Sequence, residues 1–169
     1  MIEIARRPDG LFILTAEQWL PRRRDEVFPF FAEAANLEKI TPSFLHFRIL
    51  SPLPIEMRQG ARIDYRISLR GIPMRWRTEI TVWEPPFRFV DTQLTGPYRQ
   101  WIHEHTFEDR DGGTWCRDRV EYRVPGGALV HTLFVERDVR AIFAYRRDAL
   151  ARLFGSSQIQ ASSPAPMPP

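Results

Sequence analysis

The chain has one cysteine and one lysine among 169 residues, Cys116 and Lys39. A lone thiol excludes an intramolecular disulfide and a cysteine-ligated metal cluster, and it reads as a small buried hydrophobe rather than a nucleophile. No apolar run is long enough to span a bilayer, so no integral membrane association is expected. Glu3, Arg6, Arg7 and Asp9 crowd the start of the chain, where a secretory signal needs an uncharged apolar core. These absences predict a cytoplasmic protein. No cofactor motif is present, and none is expected to be bound.

The scarcity of lysine also decides how the positive charge is read. The net charge is +3 and the isoelectric point about 9.5, values that raise the question of nucleic acid. Nearly all of the basic charge is arginine, and Arg62, Arg66, Arg70, Arg75, Arg77, Arg117, Arg119 and Arg123 alternate with acidic and polar residues. That is a mixed, solvated surface, and no nucleic-acid partner is expected. With 43% hydrophobic and 27% charged residues, the composition is that of one ordinary globular domain. Residues 1–10 read as an N-terminal extension, 11–154 as the folded domain, and 155–169, rich in Ser, Ala and Pro, as a disordered tail.

The most informative stretches are Trp101–Phe107 and Cys116–Tyr122, which both alternate with period 2. In the first, Trp101, His103, His105 and Phe107 share one face, and Glu104 and Thr106 lie on the other. In the second, Cys116, Asp118, Val120 and Tyr122 share a face opposite Arg117, Arg119 and Glu121. The charged faces belong in water, so the faces with histidine, aspartate and tyrosine point inward. Such a face is costly as plain core, because each buried polar group needs a partner. It reads as the wall of a cavity.

Asp111, Gly112 and Gly113 mark the hairpin between these strands, since such residues tolerate positive φ. A two-residue loop at Asp111–Gly112 sets Phe107 opposite Cys116, His105 opposite Asp118 and Trp101 opposite Tyr122. A loop one residue later sets Asp118 opposite Phe107 instead. Either choice keeps the inward face, and they differ only in the partner.

The rest of the chain fits the same plan. Leu11–Trp19 reads as a first strand. Asp25 and Glu26 sit in the first turn of a helix that carries Val27, Phe28 and Phe31 inward, with Pro29 limiting how early it can start and Asn36 able to end it. Leu37–Ile40 reads as a second short helix. Strands follow with inward Leu45, Phe47 and Ile49; then Ile63, Tyr65, Ile67 and Leu69; then Met74, Trp76, Thr78, Ile80 and Val82; then Phe87, Phe89, Asp91 and Gln93. A long helix is expected from Val135 to Phe154, its stripe formed by Val135, Val139, Ile142, Phe143, Leu150 and Leu153.

That order of elements resembles the START/Bet v 1-like (SRPBCC) superfamily, and in particular its bacterial polyketide cyclase/dehydrase-like branch. The resemblance is carried by Glu26-Val27-Phe28, Ile40-Thr41-Pro42, Trp83 through Phe89, Gly96-Pro97-Tyr98, Trp101, His103, His105, Phe107, Asp118, Val120, Tyr122 and Pro125. It covers about Leu11 to Phe154. It implies an α+β helix-grip fold, a curved antiparallel sheet wrapped around a long C-terminal helix, with two short helices after the first strand. It also implies a small hydrophobic or aromatic ligand, such as a lipid or polyketide, held in an internal cavity.

The expected lining is Tyr65, Trp76, Asp91, Gln93, Trp101, His103, His105, Asp118 and Tyr122. The alternative is a cyclase- or hydratase-type enzyme with His103 or His105 as base and Asp118 orienting it. A third reading, a protein-interaction module, would need an apolar outer sheet face, whereas Arg and Glu dominate there. His103 and His105 have the strand spacing of metal ligands, and a third ligand would have to be Asp91 or Asp118. No convincing third and fourth ligands stand out in the sequence, so no metal is expected. Arg146 or Arg147 of the long helix is a candidate partner for the inward acids.

Overall fold

The computed structural model of the chain describes residues 1–155. Eight strands form one antiparallel sheet in the order β1-β2-β8-β7-β6-β5-β4-β3. They are β1 (Ile2–Arg6), β2 (Phe12–Leu20), β3 (Arg48–Ile49), β4 (Arg62–Leu69), β5 (Ile72–Glu84), β6 (Arg88–Thr95), β7 (Gln100–Arg110) and β8 (Gly113–Arg123). Helix α1 (Arg24–Ala32) and a 3₁₀ segment (Ala34–Ile40) follow β2. After β8 come α2 (Gly127–Val130), a π-helical turn (His131–Val135) and α3 (Glu136–Gly155). This is the helix-grip architecture.

Alternation places the strands as expected. His103, His105, Phe107, Cys116, Val120 and Tyr122 are buried, while Arg117 is exposed and paired with Glu17. The β7–β8 hairpin uses the two-residue loop, with Asp111 at φ 52° and Gly112 at φ 74°, the left-handed pair that a tight hairpin turn needs. His105 therefore sits opposite Asp118, Phe107 opposite Cys116 and Trp101 opposite Tyr122. The outward arginines meet acids on neighbouring strands, as in Arg62–Glu79, Arg77–Asp64 and Arg88–Glu104. No helix among the described residues is long and apolar enough to cross a membrane.

Several local expectations are corrected. Residues 1–10 are no loose extension, because β1 pairs with β2 from Ile2 to Arg6 as an edge strand. Helix α1 begins at Arg24 and so carries Pro29 inside it; that position is exposed, and the bond Pro cannot donate would go only to the carbonyl of exposed Asp25. Asn36 lies within the 3₁₀ segment, and its Nδ2 donates to the Phe30 carbonyl at 2.9 Å, closing the end of α1.

Leu45 ends a 3₁₀ turn and His46 is left-handed, so only Arg48 and Ile49 remain of the strand expected there. A register shift between Ile80 and Val82 reverses the alternation, sending Trp83 rather than Val82 toward Phe28 and Phe89. Phe87 is an exposed turn residue under the Arg24 guanidinium.

The long helix starts at Gly127 instead of Val135, through the π turn. Its buried stripe is Val139, Phe143, Arg146, Ala149 and Leu150, and Leu153 is exposed. The tail expected from 155 onward lies outside the described residues except for Gly155, which ends α3.

The core divides in two beneath the helix. Val27, Phe28, Phe89, Phe107 and Leu150 pack at one end, and Phe12, Leu14, Val120, Tyr122 and Phe143 at the other. Burying a side chain of this size contributes roughly 1.5–3 kcal/mol, so each cluster anchors one end of the sheet. Between them the concave face is not filled by side chains.

Candidate functional site

A cavity of about 180 Å³ lies between the concave face of the sheet and α3. Its walls are mainly apolar: Ile63, Tyr65 and Ile67 from β4, Trp76 and Ile80 from β5, and Phe143 from α3. Tyr65 stacks on Trp76 at 5.6 Å, and Trp101 meets Trp76 edge-on at 5.5 Å. These aromatic pairs stiffen one wall. Polar side chains are concentrated on β6, β7 and α3, where Asp91, His103, His105 and Arg146 reach the cavity.

The polar groups form one connected cluster. The imidazoles of His103 and His105 are two residues apart on β7, and their centroids lie 3.8 Å apart. Each ring turns one nitrogen toward Asp91 and the other toward Asp118. His105 Nε2 is 3.0 Å from Asp91 Oδ2, and His103 Nδ1 is 3.7 Å from the same oxygen. On the opposite side, His103 Nε2 and His105 Nδ1 both lie 2.9 Å from Asp118 Oδ1. Arg146 Nη2 completes the cluster, 3.2 Å from Asp118 Oδ1 and 3.1 Å from His105 Nδ1. Thr78 Oγ1 donates to Asp91 at 3.3 Å.

Burial and charge oppose each other in this cluster. Burial alone would raise the Asp118 carboxyl, but the Arg146 charge and the histidine hydrogen bonds outweigh it and hold Asp118 well below the usual carboxylate range. Burial likewise works against Asp91, and the His105 hydrogen bond with the two nearby rings holds it down. His103 is lowered by burial and then by its neighbour His105, against the pull of both aspartates. Two carboxylates are thus kept ionised inside the protein, with the two buried imidazoles between them and one arginine on the Asp118 side. Cys116 is pushed up to about 12 by burial, so it stays a thiol and offers no nucleophile.

Six of the nine sequence-derived site residues line the cavity: Tyr65, Trp76, Asp91, Trp101, His103 and His105. Three are placed elsewhere. Asp118 sits behind the two imidazoles and acts through them. Tyr122 is fully buried in the second core cluster, its hydroxyl 2.8 Å from His131 Nε2. Gln93 pairs with Thr78 on the same face, but its side chain folds back on the following turn, donating to the Tyr98 carbonyl at 2.7 Å and accepting from its amide.

Sequence reasoning named Arg146 only as an ion-pair partner and missed it as a lining residue. The signal was present: position 146 falls on the helical stripe of 139, 143 and 150, so a charged residue there faces the interior. Phe31 of α1, Leu37 of the 3₁₀ segment and Phe47 also line the cavity; the sequence pattern turns Phe31 and Phe47 inward but does not separate core from cavity wall. The acids near His103 and His105 now have definite places. Donor atoms of Asp91, His103 and His105 lie within 4.8 Å of one another, so of the two acids it is Asp91 whose position could complete a three-ligand set.

A sheet that grips a long helix around an apolar cavity with a polar end defines a ligand-binding helix-grip protein. The chain belongs to the polyketide cyclase/dehydrase and lipid transport family, whose model matches residues 20–150. Solved structures agree on the fold. Protein Ms6760 from Mycobacterium smegmatis superposes with a TM-score of 0.64 at 18% identity, covering 92% of this chain and 98% of that one. Ara h 8.0201 gives 0.62 at 14% identity, covering 88% and 100%. The nucleoside-diphosphate sugar epimerase of Corynebacterium glutamicum gives 0.60 at 25% identity over 82% of this chain, which spans only 28% of that longer protein. Among curated proteins no match is found.

Proposed function

We propose that the protein binds a compact, largely apolar molecule with a polar or aromatic handle, its body against the aromatic wall and its handle at Asp91, His103, His105 and Arg146. The observation that carries this reading is the arrangement of the cavity, with apolar surface on most sides and one buried ionic cluster at the β6–β7 side. Apolar walls supply affinity, and a few convergent polar groups set orientation. An apolar cavity of about 150 Å³ accepts a benzene-sized molecule, so a volume of about 180 Å³ suits one or two rings, or a short acyl chain. A cytoplasmic setting agrees with the single buried thiol.

The test uses Trp76 and Trp101 as built-in reporters. One- and two-ring aromatic compounds bearing a phenol or alcohol should change tryptophan emission saturably at one site, and Ile67→Trp, which fills the cavity, should abolish the change. A panel in which no compound acts on the wild type, or acts equally on the filled variant, overturns the proposal.

One observation favours a second reading. His103 lines the cavity with Nε2 held by Asp118 at 2.9 Å, as a general base and its orienting carboxylate would be, and the family takes in cyclases and dehydrases. In that reading the bound molecule is converted rather than held.

A further inference from the structure

The geometry points to a site for one divalent first-row transition ion at Asp91, His103 and His105, with its open coordination positions facing the cavity. There the ion would take an oxygen donor (enolate, phenolate or carboxylate) of the bound molecule. The role of that oxygen rests on the ligand-binding reading, and the metal site itself does not.

Two imidazole nitrogens and one carboxylate oxygen converge from adjacent strands. In a tetrahedral site with bonds of 2.0–2.1 Å, neighbouring donor atoms are separated by about 3.3 Å. Asp91 Oδ2 lies 3.0 Å from His105 Nε2 and 3.7 Å from His103 Nδ1, on either side of that value. The separation bridged by a proton in the His105–Asp91 hydrogen bond therefore also suits a cation.

The far nitrogens carry the argument further. Metal-bound imidazoles usually donate their other N–H to a carboxylate. Here both far nitrogens lie 2.9 Å from a single atom, Asp118 Oδ1. For His105 the far nitrogen is shared: Nδ1 accepts from Arg146 Nη2 at 3.1 Å, and the ring proton sits on Nε2, toward Asp91. A metal on Nε2 would move that proton to Nδ1, beside Asp118 Oδ1 at 2.9 Å, while Arg146 keeps its 3.2 Å bond to Asp118.

Charge agrees with this. With neutral imidazoles, Asp91, Asp118 and Arg146 sum to −1, and the one cation bonds on the Asp118 side. Asp91 is left as an anion facing the cavity.

The decisive measurement is Zn²⁺ and Co²⁺ binding to untagged, chelator-treated full-length protein. Equilibrium dialysis should give one Zn²⁺ per chain, and Co²⁺ should give the visible d–d bands of a low-coordinate nitrogen/oxygen site. Asp91→Asn and His105→Ala should lose both signals, whereas Asp118→Asn should retain the ion about 10–100-fold more weakly. Circular dichroism confirms that each variant is folded, and the wild-type cobalt spectrum needs no variant at all. Wild type that holds no Zn²⁺ above the buffer level, or Asp91→Asn and His105→Ala that bind as wild type does, overturns the inference. Binding of the phenol and alcohol panel, 2-naphthol included, followed by tryptophan emission with and without Zn²⁺, separates the two proposals. Panel binding without metal uptake sinks only the metal site, and metal uptake with no panel compound bound sinks only the ligand reading.

Discussion

Arg146 of α3 and Asp118 of β8 form an ion pair at 3.2 Å inside the protein, with the side chains 10% and 15% exposed. It joins the gripping helix to the sheet through the same carboxylate that holds the two histidines. Removing one partner of such a pair leaves an uncompensated buried charge, which costs about 3–5 kcal/mol. Arg146→Met should therefore lower unfolding stability by that amount in urea titrations. The double variant Arg146→Met/Asp118→Asn should recover much of the loss. A double variant no more stable than Arg146→Met would show that Arg146 acts through packing instead.

The site variants separate binding from conversion. If the protein only binds, His105→Ala should weaken the handle-bearing ligand by about 1–3 kcal/mol, the scale of losing one buried polar partner. If it converts the ligand, turnover should fall about 10²–10⁴-fold while binding changes little. Calorimetry and product analysis on the same samples distinguish the two outcomes. We expect the binding pattern, because no nucleophile accompanies the histidines.

His131 makes a pH prediction independent of the cavity. The ring stacks on Phe12 at 3.7 Å, bonds the Tyr122 hydroxyl, and is 3% exposed. Burial lowers its pKa below the ordinary value, with Glu136 pulling the other way. A histidine with a depressed folded pKa contributes its full stability above its unfolded pKa of about 6.5. That contribution is lost as pH falls from there through the folded value. Wild type should thus lose stability on acidification below about pH 6.5 more steeply than His131→Gln. Parallel slopes for the two proteins would contradict the assignment.

Gly113 tests the sheet. Its φ is not left-handed, so the need for glycine comes from close approach: a Cβ there would sit 2.3 Å from the Leu20 carbonyl oxygen and 2.8 Å from the Trp19 ring. Backbone cannot give way cheaply, and Gly113→Ala should destabilise by about 1–3 kcal/mol. Gly112→Ala meets no neighbouring atom, but it is strained by its φ of 74°. Thermal denaturation of Gly113→Ala at the wild-type midpoint would show that β2 can move aside.

Much of this architecture is written in local pattern. The inward set on β7 and β8 follows from period-2 alternation against charged outer faces, because it depends on neighbours in sequence, whereas the pattern left the hairpin register between two loops, and the structure takes the one at Asp111–Gly112. What the pattern left open was the pairing within the site. The backbone register sets His105 opposite Asp118 and His103 opposite Asp91. The hydrogen bonds instead run diagonally, His103 to Asp118 and His105 to Asp91. Side chains on adjacent strands can reach diagonal neighbours, and sheet curvature with the stacked imidazoles decides which one they meet.

The sequence by itself determined the strand faces, the helix-grip order and the two buried histidines, since each is a property of spacing along the chain. Only the tertiary structure decided that Arg146 enters the site, that Tyr122 and Gln93 stay out of it, and that one aspartate faces the cavity while the other stands behind the rings. Those outcomes depend on how α3 lies across the sheet and on contacts between residues far apart in the chain, Arg146 with Asp118 and Tyr122 with His131 among them, and these are not set by any residue's near neighbours.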